Sequence, residues 1–177
     1  STYYLSKKNA YIQMSSASGL ILLKKEERNC MHTSSYGTGE LILDSLKKGA
    51  RSINLFIGGS ATNDGGIGLA SALGYRFFDS SGSLINPIGK NLSSIDKIDK
   101  SQLLFNPEEV EVKVVCDVNN PLYGKNGAAH VYASQKGASL IEIDQLNEGL
   151  INLALKLIQY DFPAIAKVPG AGAAGGL

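Results

Sequence analysis

Apolar positions recur along this chain with two periods, and the breaks between them are built from glycine, asparagine, aspartate and proline. Residues 2–5 and 10–14 are β-rich and flank Ser6-Lys-Lys-Asn9, which predicts a hairpin. Small residues at 15–19 predict a turn that opens a short helix to Leu23, and 24–32 read as a polar connection. A helix over 39–48 follows, with Thr38 as its cap, Glu40 in the first turn and Lys47 and Lys48 in the last; Ile42 and Leu46 share one face and Gly49 ends it. The apolar run 53–57 predicts a buried strand, and 67–74 a short helix stopped by glycine, so 58–66 form a strand-to-helix turn. Residues 75–78 read as a strand and 79–83 as a turn, while 84–100, broken by Pro87 and Gly89, have no clear period and read as irregular. Residues 110–117 alternate and then become apolar, as a strand does when it passes under cover, and end on Asp117. Turn chemistry fills 117–127, a helix is predicted over 128–136, and Ser139 with Glu142 makes a capping box for the longest helix, whose Ile143, Leu146, Leu150, Leu153 and Leu157 step by three and four. After Asp161 and Pro163 the chain runs into Pro169-Gly-Ala-Gly-Ala-Ala-Gly-Gly-Leu177. This alternation predicts one α/β domain over residues 1–177, a mixed sheet flanked by helices.

Composition narrows the partners. At 177 residues and 44% hydrophobic, the chain has material for one core. Seventeen basic against sixteen acidic residues leave a net charge of +1 with no basic patch, which argues against nucleic acid, and no apolar run is long enough for a bilayer. Cys30 and Cys116 are the only cysteines and lack metal spacing, so a reducing, cytoplasmic setting is expected; the Asn91-Leu-Ser93 sequon reads as chance. His32 and His130 read as surface or capping residues, and no metal ligand set is assigned. The chain opens at Ser1 with no secretory leader, or its true start lies upstream.

Four clusters can carry chemistry, each at the end of an element: the turn Gly58-Gly-Ser-Ala-Thr-Asn-Asp-Gly-Gly66; Asp117 with Asn119 and Asn120; Gln135-Lys136-Gly137; and the terminal glycine run. A strand-to-helix turn rich in glycine lets backbone N–H groups face an anion at a helix N-terminus. Because ligands of open α/β sheets lie beyond the strand C-termini, Asp64 and Asp117 are expected to face one crevice. Each residue also has a plainer reading: Asp64 as a helix cap, Asp117 as an Asx turn, Lys136 as a solvated lysine. Gly170-Ala-Gly-Ala-Ala-Gly175 satisfies the dinucleotide pattern G-x-G-x-x-G without the strand, helix and acid that make it specific, and no P-loop motif is present.

Taken together, Ser34-Ser-Tyr-Gly-Thr-Gly-Glu-Leu-Ile42, Ile57-Gly-Gly-Ser-Ala-Thr-Asn-Asp-Gly-Gly66, Cys116-Asp-Val-Asn-Asn-Pro-Leu122, Gln135-Lys-Gly-Ala138 and Pro169-Gly-Ala-Gly-Ala-Ala-Gly-Gly176 resemble, in order, the bacterial glycerate kinase family. The resemblance implies transfer of the γ-phosphoryl group of ATP, with Mg²⁺, to D-glycerate, 2-phosphoglycerate being the favoured product. It implies that the chain is an inserted α/β domain, excised from a protein about twice as long whose flavodoxin-like or Rossmann-like domain is the missing partner. Catalytic roles are expected for Asp64, Asp117 and Lys136, substrate contacts for Ser60, Thr62, Asn63, Asn120 and Gln135, and phosphate contacts for Gly58, Gly59, Gly170 and Gly172. The rival expectations are a non-catalytic binding or lid module, and a nucleotide-binding oxidoreductase domain resting on 170–175. The chain departs from the family's usual residues at Gln13 and Ser15, at Cys30, at Phe56, and at Ala133 and Ser134, where Tyr132-Ala-Ser-Gln135 stands in place of an aromatic-Gly-Pro-Gln pattern.

Overall fold

A computed structural model describes residues 2–160 and 162–177, so the break read at Asp161 lies outside the described residues. The chain opens with strands β1 (Tyr4–Ser6) and β2 (Asn9–Gln13), joined in the expected antiparallel hairpin with Leu5 opposite Ala10. A four-residue helix α1 (Ser15–Ser18) and a 3-10 turn at Leu20–Leu22 replace the single short helix expected there. Helix α2 (Tyr36–Lys47), strand β3 (Ser52–Phe56), helix α3 (Ile67–Ala72) and strand β4 (Arg76–Phe78) follow, then strands β5 (Lys97–Asp99) and β6 (Glu111–Val115) and helix α4 (Leu140–Gln159).

The main sheet has the order β1-β2-β3-β6, with β2, β3 and β6 mutually parallel and β1 antiparallel; β4 and β5 form a separate two-stranded sheet. The mixed α/β architecture is therefore as expected. One apolar cluster joins Ala10, Ile12, Ile53 and Leu55 to Ile42 and Leu46 of α2. A second forms around Leu146 and Leu150 of α4, packed on Leu92, Ile95 and Ile98. The capping box of α4 is present: the Glu142 carboxylate accepts from the Ser139 N–H at 2.7 Å, and Ser139 Oγ accepts from the Glu142 N–H at 3.4 Å.

Four expectations are corrected. Residues 84–100 are not irregular: a 3-10 segment, Gly89–Ser94, leads into β5, and Leu92, Ile95 and Ile98 are core. Asn152 Nδ2 donates to the Leu92 and Ile95 carbonyls at 2.9 Å, so α4 supplies the order that local periodicity lacks. Helix α2 starts at Tyr36, and Thr38 is no cap but lies buried inside the first turn, its hydroxyl donated to Ser18 Oγ. The connection 24–32 is not wholly polar, since Cys30 and Met31 enter the second core. Strand β6 does not pass under cover, for all five of its residues are exposed.

Candidate active site

Two parallel strands bring the main clusters together. Beyond Phe56 the chain runs into Ile57, Gly58, Gly59 and Ser60; beyond Val115 it runs into Cys116, Asp117 and Val118. These two strand exits line a cleft of about 290 Å³, with Tyr132, Gln135, Lys136, Ala173 and Ala174 on its remaining walls. Neighbouring parallel strands open at the same end, which is where α/β sheets present ligand sites. Asp117 and Gln135 are exposed there, as are Gly58 and Gly59.

Lys136 sits at the end of a 3-10 turn (Ser134–Lys136) closed by Gly137 at φ +91. Its side chain is buried, and Nζ donates to Ser60 Oγ at 2.8 Å and to the Thr62 carbonyl at 2.7 Å. Burial pushes the ammonium down from 10.5 to about 8, against the opposing pull of Cys30 and Asp64. The same burial pushes the Cys30 thiol up to about 11, so it stays protonated and inert. An ammonium has three donors, and two are spent on the glycine turn, which fixes the direction of the third.

Asp64 does not share the cleft with Asp117. It is fully buried, and its carboxylate accepts from the Ser35 N–H (2.7 Å), the Ser35 hydroxyl (2.8 Å), the Gly68 N–H (3.2 Å) and the Gly66 N–H (3.3 Å). Ser35 Oγ in turn accepts from the Leu69 N–H. The start of α3 is thus satisfied from within, and the N–H groups expected to meet an external anion there meet Asp64. Burial pushes this carboxyl up, and the four donors oppose that. The arrangement explains α2 as well: Ser35 delivers its hydroxyl to Asp64 rather than to its own helix. Gly68 is required at this junction, because a Cβ there would collide with Ser34 Oγ and the Asp64 carboxylate.

Thr62 and Asn63 are buried below the cleft wall. Thr62 Oγ1 makes a long 3.4 Å bond to the Ala174 carbonyl, whereas among the described residues neither the amide oxygen nor the amide nitrogen of Asn63 has a partner. Asn120 is held at both ends, accepting from the Tyr132 hydroxyl at 2.6 Å and donating to the Asn126 carbonyl at 2.9 Å, so it shapes the loop after Asp117. Tyr132 is not among the expected site residues; its only sequence signal is the aromatic position that opens the stretch 132–135.

The terminal glycine run folds under the glycine turn. Gly65 N–H donates to the Gly175 carbonyl, and a Cβ on Gly175, at φ +86, would collide with the Thr62 carbonyl. Gly172 N–H donates to the Asn120 carbonyl at 2.9 Å, and Gly170 lines an apolar groove rather than the cleft. No strand precedes this run among the described residues 162–169, so it does not form the turn of a dinucleotide fold. Among the described residues no group of three or more His, Cys, Asp and Glu gathers as a metal site, and no helix is long and apolar enough to cross a membrane.

Comparison with known proteins adds a consistent result. The model of the glycerate kinase family matches residues 1–177. A glycerate kinase of Bacillus cereus is 48% identical over 171 residues, covering 97% of this chain and 45% of that protein. A glycerate 2-kinase of Escherichia coli is 45% identical over 170 residues, covering 96% and 45%. A crystal structure described as a glycerate kinase 2 from Salmonella typhimurium LT2 superposes with a TM-score of 0.96 at 41% identity, covering 99% of this chain and 47% of that one. The chain therefore spans about half the length of these relatives.

Proposed function

Because the chain belongs to the glycerate kinase family, we propose that residues 1–177 are part of an ATP-dependent kinase that phosphorylates D-glycerate to 2-phosphoglycerate in the cytoplasm. The observation that carries this reading is the cleft in which the buried Lys136 ammonium and the exposed Asp117 carboxylate stand on facing strand and turn exits. Phosphoryl transfer asks the protein chiefly for positioning and for charge stabilisation. Lys136, held by Ser60 and Thr62, supplies a fixed positive charge for a carboxylate or phosphate. Asp117 orients the attacking hydroxyl of glycerate and accepts its proton. Gly58 and Gly59 let a ligand approach bare backbone, and Gln135 reaches in from the rim. Asp64 acts as a positioning residue, locking the turn that carries Ser60 and Thr62. The Asn63 amide, unpaired among the described residues, stands ready to turn toward a ligand, whereas Asn120, Gly170 and Gly172 serve by holding loops.

The donor set fits magnesium, which keeps several waters and takes one or two carboxylates plus phosphate oxygens; Asp117 is the carboxylate of this cleft that would face it. When bound, ATP supplies the phosphoryl group and Mg²⁺ offsets charge on its oxygens. The remaining wall is assigned to the flavodoxin-like or Rossmann-like part of the full-length protein, and residues 1–177 alone are expected to be inactive.

The test is ADP release from the full-length protein with D-glycerate, the product being identified by phosphorus NMR. Asp117→Asn should lower kcat by about 100-fold or more, the range of a lost general base, with little change in melting temperature. A variant altered only in KM would make this a substrate-binding or lid module instead. No ATP-dependent phosphorylation of D-glycerate by the parent protein would overturn the substrate assignment.

A further inference from the structure

The main sheet stops where its chemistry does not. Along one face, register sets Ala10 beside Ile53 beside Val112, and Ile12 beside Leu55 beside Val114. Ala10, Ile12 and Ile53 are wholly buried and Leu55 nearly so, yet Val112 is 54% and Val114 48% exposed. The cover of this sheet thus extends over β2 and β3 and ends before β6. On the opposite face Phe56 and Val115, also in register, are 40% and 50% exposed. Among the described residues the outer edge of β6 has no partner strand. Parallel strands are normally covered on both faces, and an exposed apolar edge is an aggregation hazard that proteins blunt with charge or proline. The only charges on β6 are Glu111 and Lys113, which pair with each other at 2.9 Å on the other face.

We infer that the sheet continues past β6: a strand from the part of the polypeptide outside residues 1–177 pairs in parallel with its free edge, and the helix connected to that strand covers Val112 and Val114. The space for the helix is an apolar groove of about 560 Å³ lined by Leu69, Phe105, Val112, Val114, Ile165 and Val168, among others. Two observations select this occupant over a second copy of the chain. The relatives hold more than half of their length outside the matched region, enough for several βα units. A two-fold pairing of β6 with its own copy would run antiparallel and leave the groove without a helix to fill it. The inference rests on the reading of this chain as part of a longer kinase, and it adds a consequence. Cys116 lines the groove and the cleft alike, so the added strand would end beside Asp117 and build the open wall of the active site.

The test places a photo-crosslinking amino acid at position 114 in the full-length protein, at concentrations where sizing shows a monomer. The expected product is an intramolecular cross-link joining position 114 to a peptide outside residues 1–177. Cross-links between two chains, cross-links confined to residues 1–177, or none would overturn the proposal. Hydrogen exchange of the unmodified full-length protein gives an independent readout: the outward amides of β6 should exchange at least 100-fold more slowly than expected for unpaired amides, and unprotected exchange would sink the added strand. Neither readout needs catalysis, so a failed kinase assignment and a failed sheet extension remain distinguishable.

Discussion

Lys136 is a charged residue placed where charge is costly, and that placement makes it testable by pH. With its ammonium pushed down to about 8, the positive charge of the free protein is lost as pH rises through about 8. If that charge holds anionic substrate, kcat/KM of the full-length enzyme should fall on the alkaline side with an apparent pKa near 8. Lys136→Met should cost at least about tenfold in kcat/KM and abolish that limb, while Lys136→Arg, which stays charged, should keep part of the rate and run flat through the same range. A Lys136→Met enzyme with parental kinetics would remove Lys136 from the mechanism. Stability moves the other way. An unfolded lysine keeps its proton to about 10.4, so between 8 and 10.4 the unfolded state binds more protons and this group makes stability rise with pH. Urea unfolding of parent and Lys136→Met at pH 7 and 9 should show that gain in the parent alone. Asp64 presents the complementary case, a carboxylate whose four donors all belong to the protein. Asp64→Asn turns an amide toward N–H groups that need an acceptor and should cost about 1–3 kcal/mol, read as a lowered melting temperature; an unchanged melting temperature would contradict the positioning role.

At the scale of elements, the site depends on close approaches that only glycine permits, and on caps that fix where helices begin. Gly175→Ala would force a side chain into a left-handed conformation against the Thr62 carbonyl, and should destabilise by more than the roughly 1–3 kcal/mol of backbone strain alone. The measurement is denaturant unfolding, and a loss below about 0.5 kcal/mol would mean that the two loops separate without cost. Ser139→Ala removes the cap of α4 and should cost about 1 kcal/mol. Elements with a sustained pattern were legible in the sequence: α4 with its capping box, β3, the opening hairpin and the glycine turn. Leu92, Ile95 and Ile98 were not, because a 3-10 segment and a three-residue strand are too short to show a period. Thr38 was misread as a cap because residue type suits the role, while the hydroxyl that fixes the entry to α2 is that of Ser35, bonded 29 residues away. The joining of Lys136 to Ser60 and of Tyr132 to Asn120 depends on tertiary contacts, on which spacing is silent; Asp117 at a strand exit was legible because topology alone carries it there.

For the whole molecule, the cleft and the sheet edge lead to one expectation. Asp117 is exposed, the strand that carries it is uncovered on both faces, and Cys116 joins the cleft to an apolar groove. A site of this kind lacks the water exclusion that strengthens the attraction between a lysine and a transferring phosphate. Residues 1–177 prepared alone should therefore turn over D-glycerate at well under 1 s⁻¹, below the usual range of enzymes, even at pH 7, where Lys136 is charged. They should also associate with increasing concentration, since Val112 and Val114 sit half-exposed at an open parallel edge. Val114→Lys separates the two effects. In the isolated chain it should suppress association without restoring turnover, because a charge blunts the edge but builds no wall. In the full-length enzyme the same substitution should lower both stability and kcat, because it buries a lysine under the inferred helix and disturbs the strand leading to Asp117. Turnover by the isolated chain at about 1 s⁻¹ or more would mean that these residues carry a complete site, and a harmless Val114→Lys in the full-length enzyme would mean that β6 is an edge in the finished protein as well.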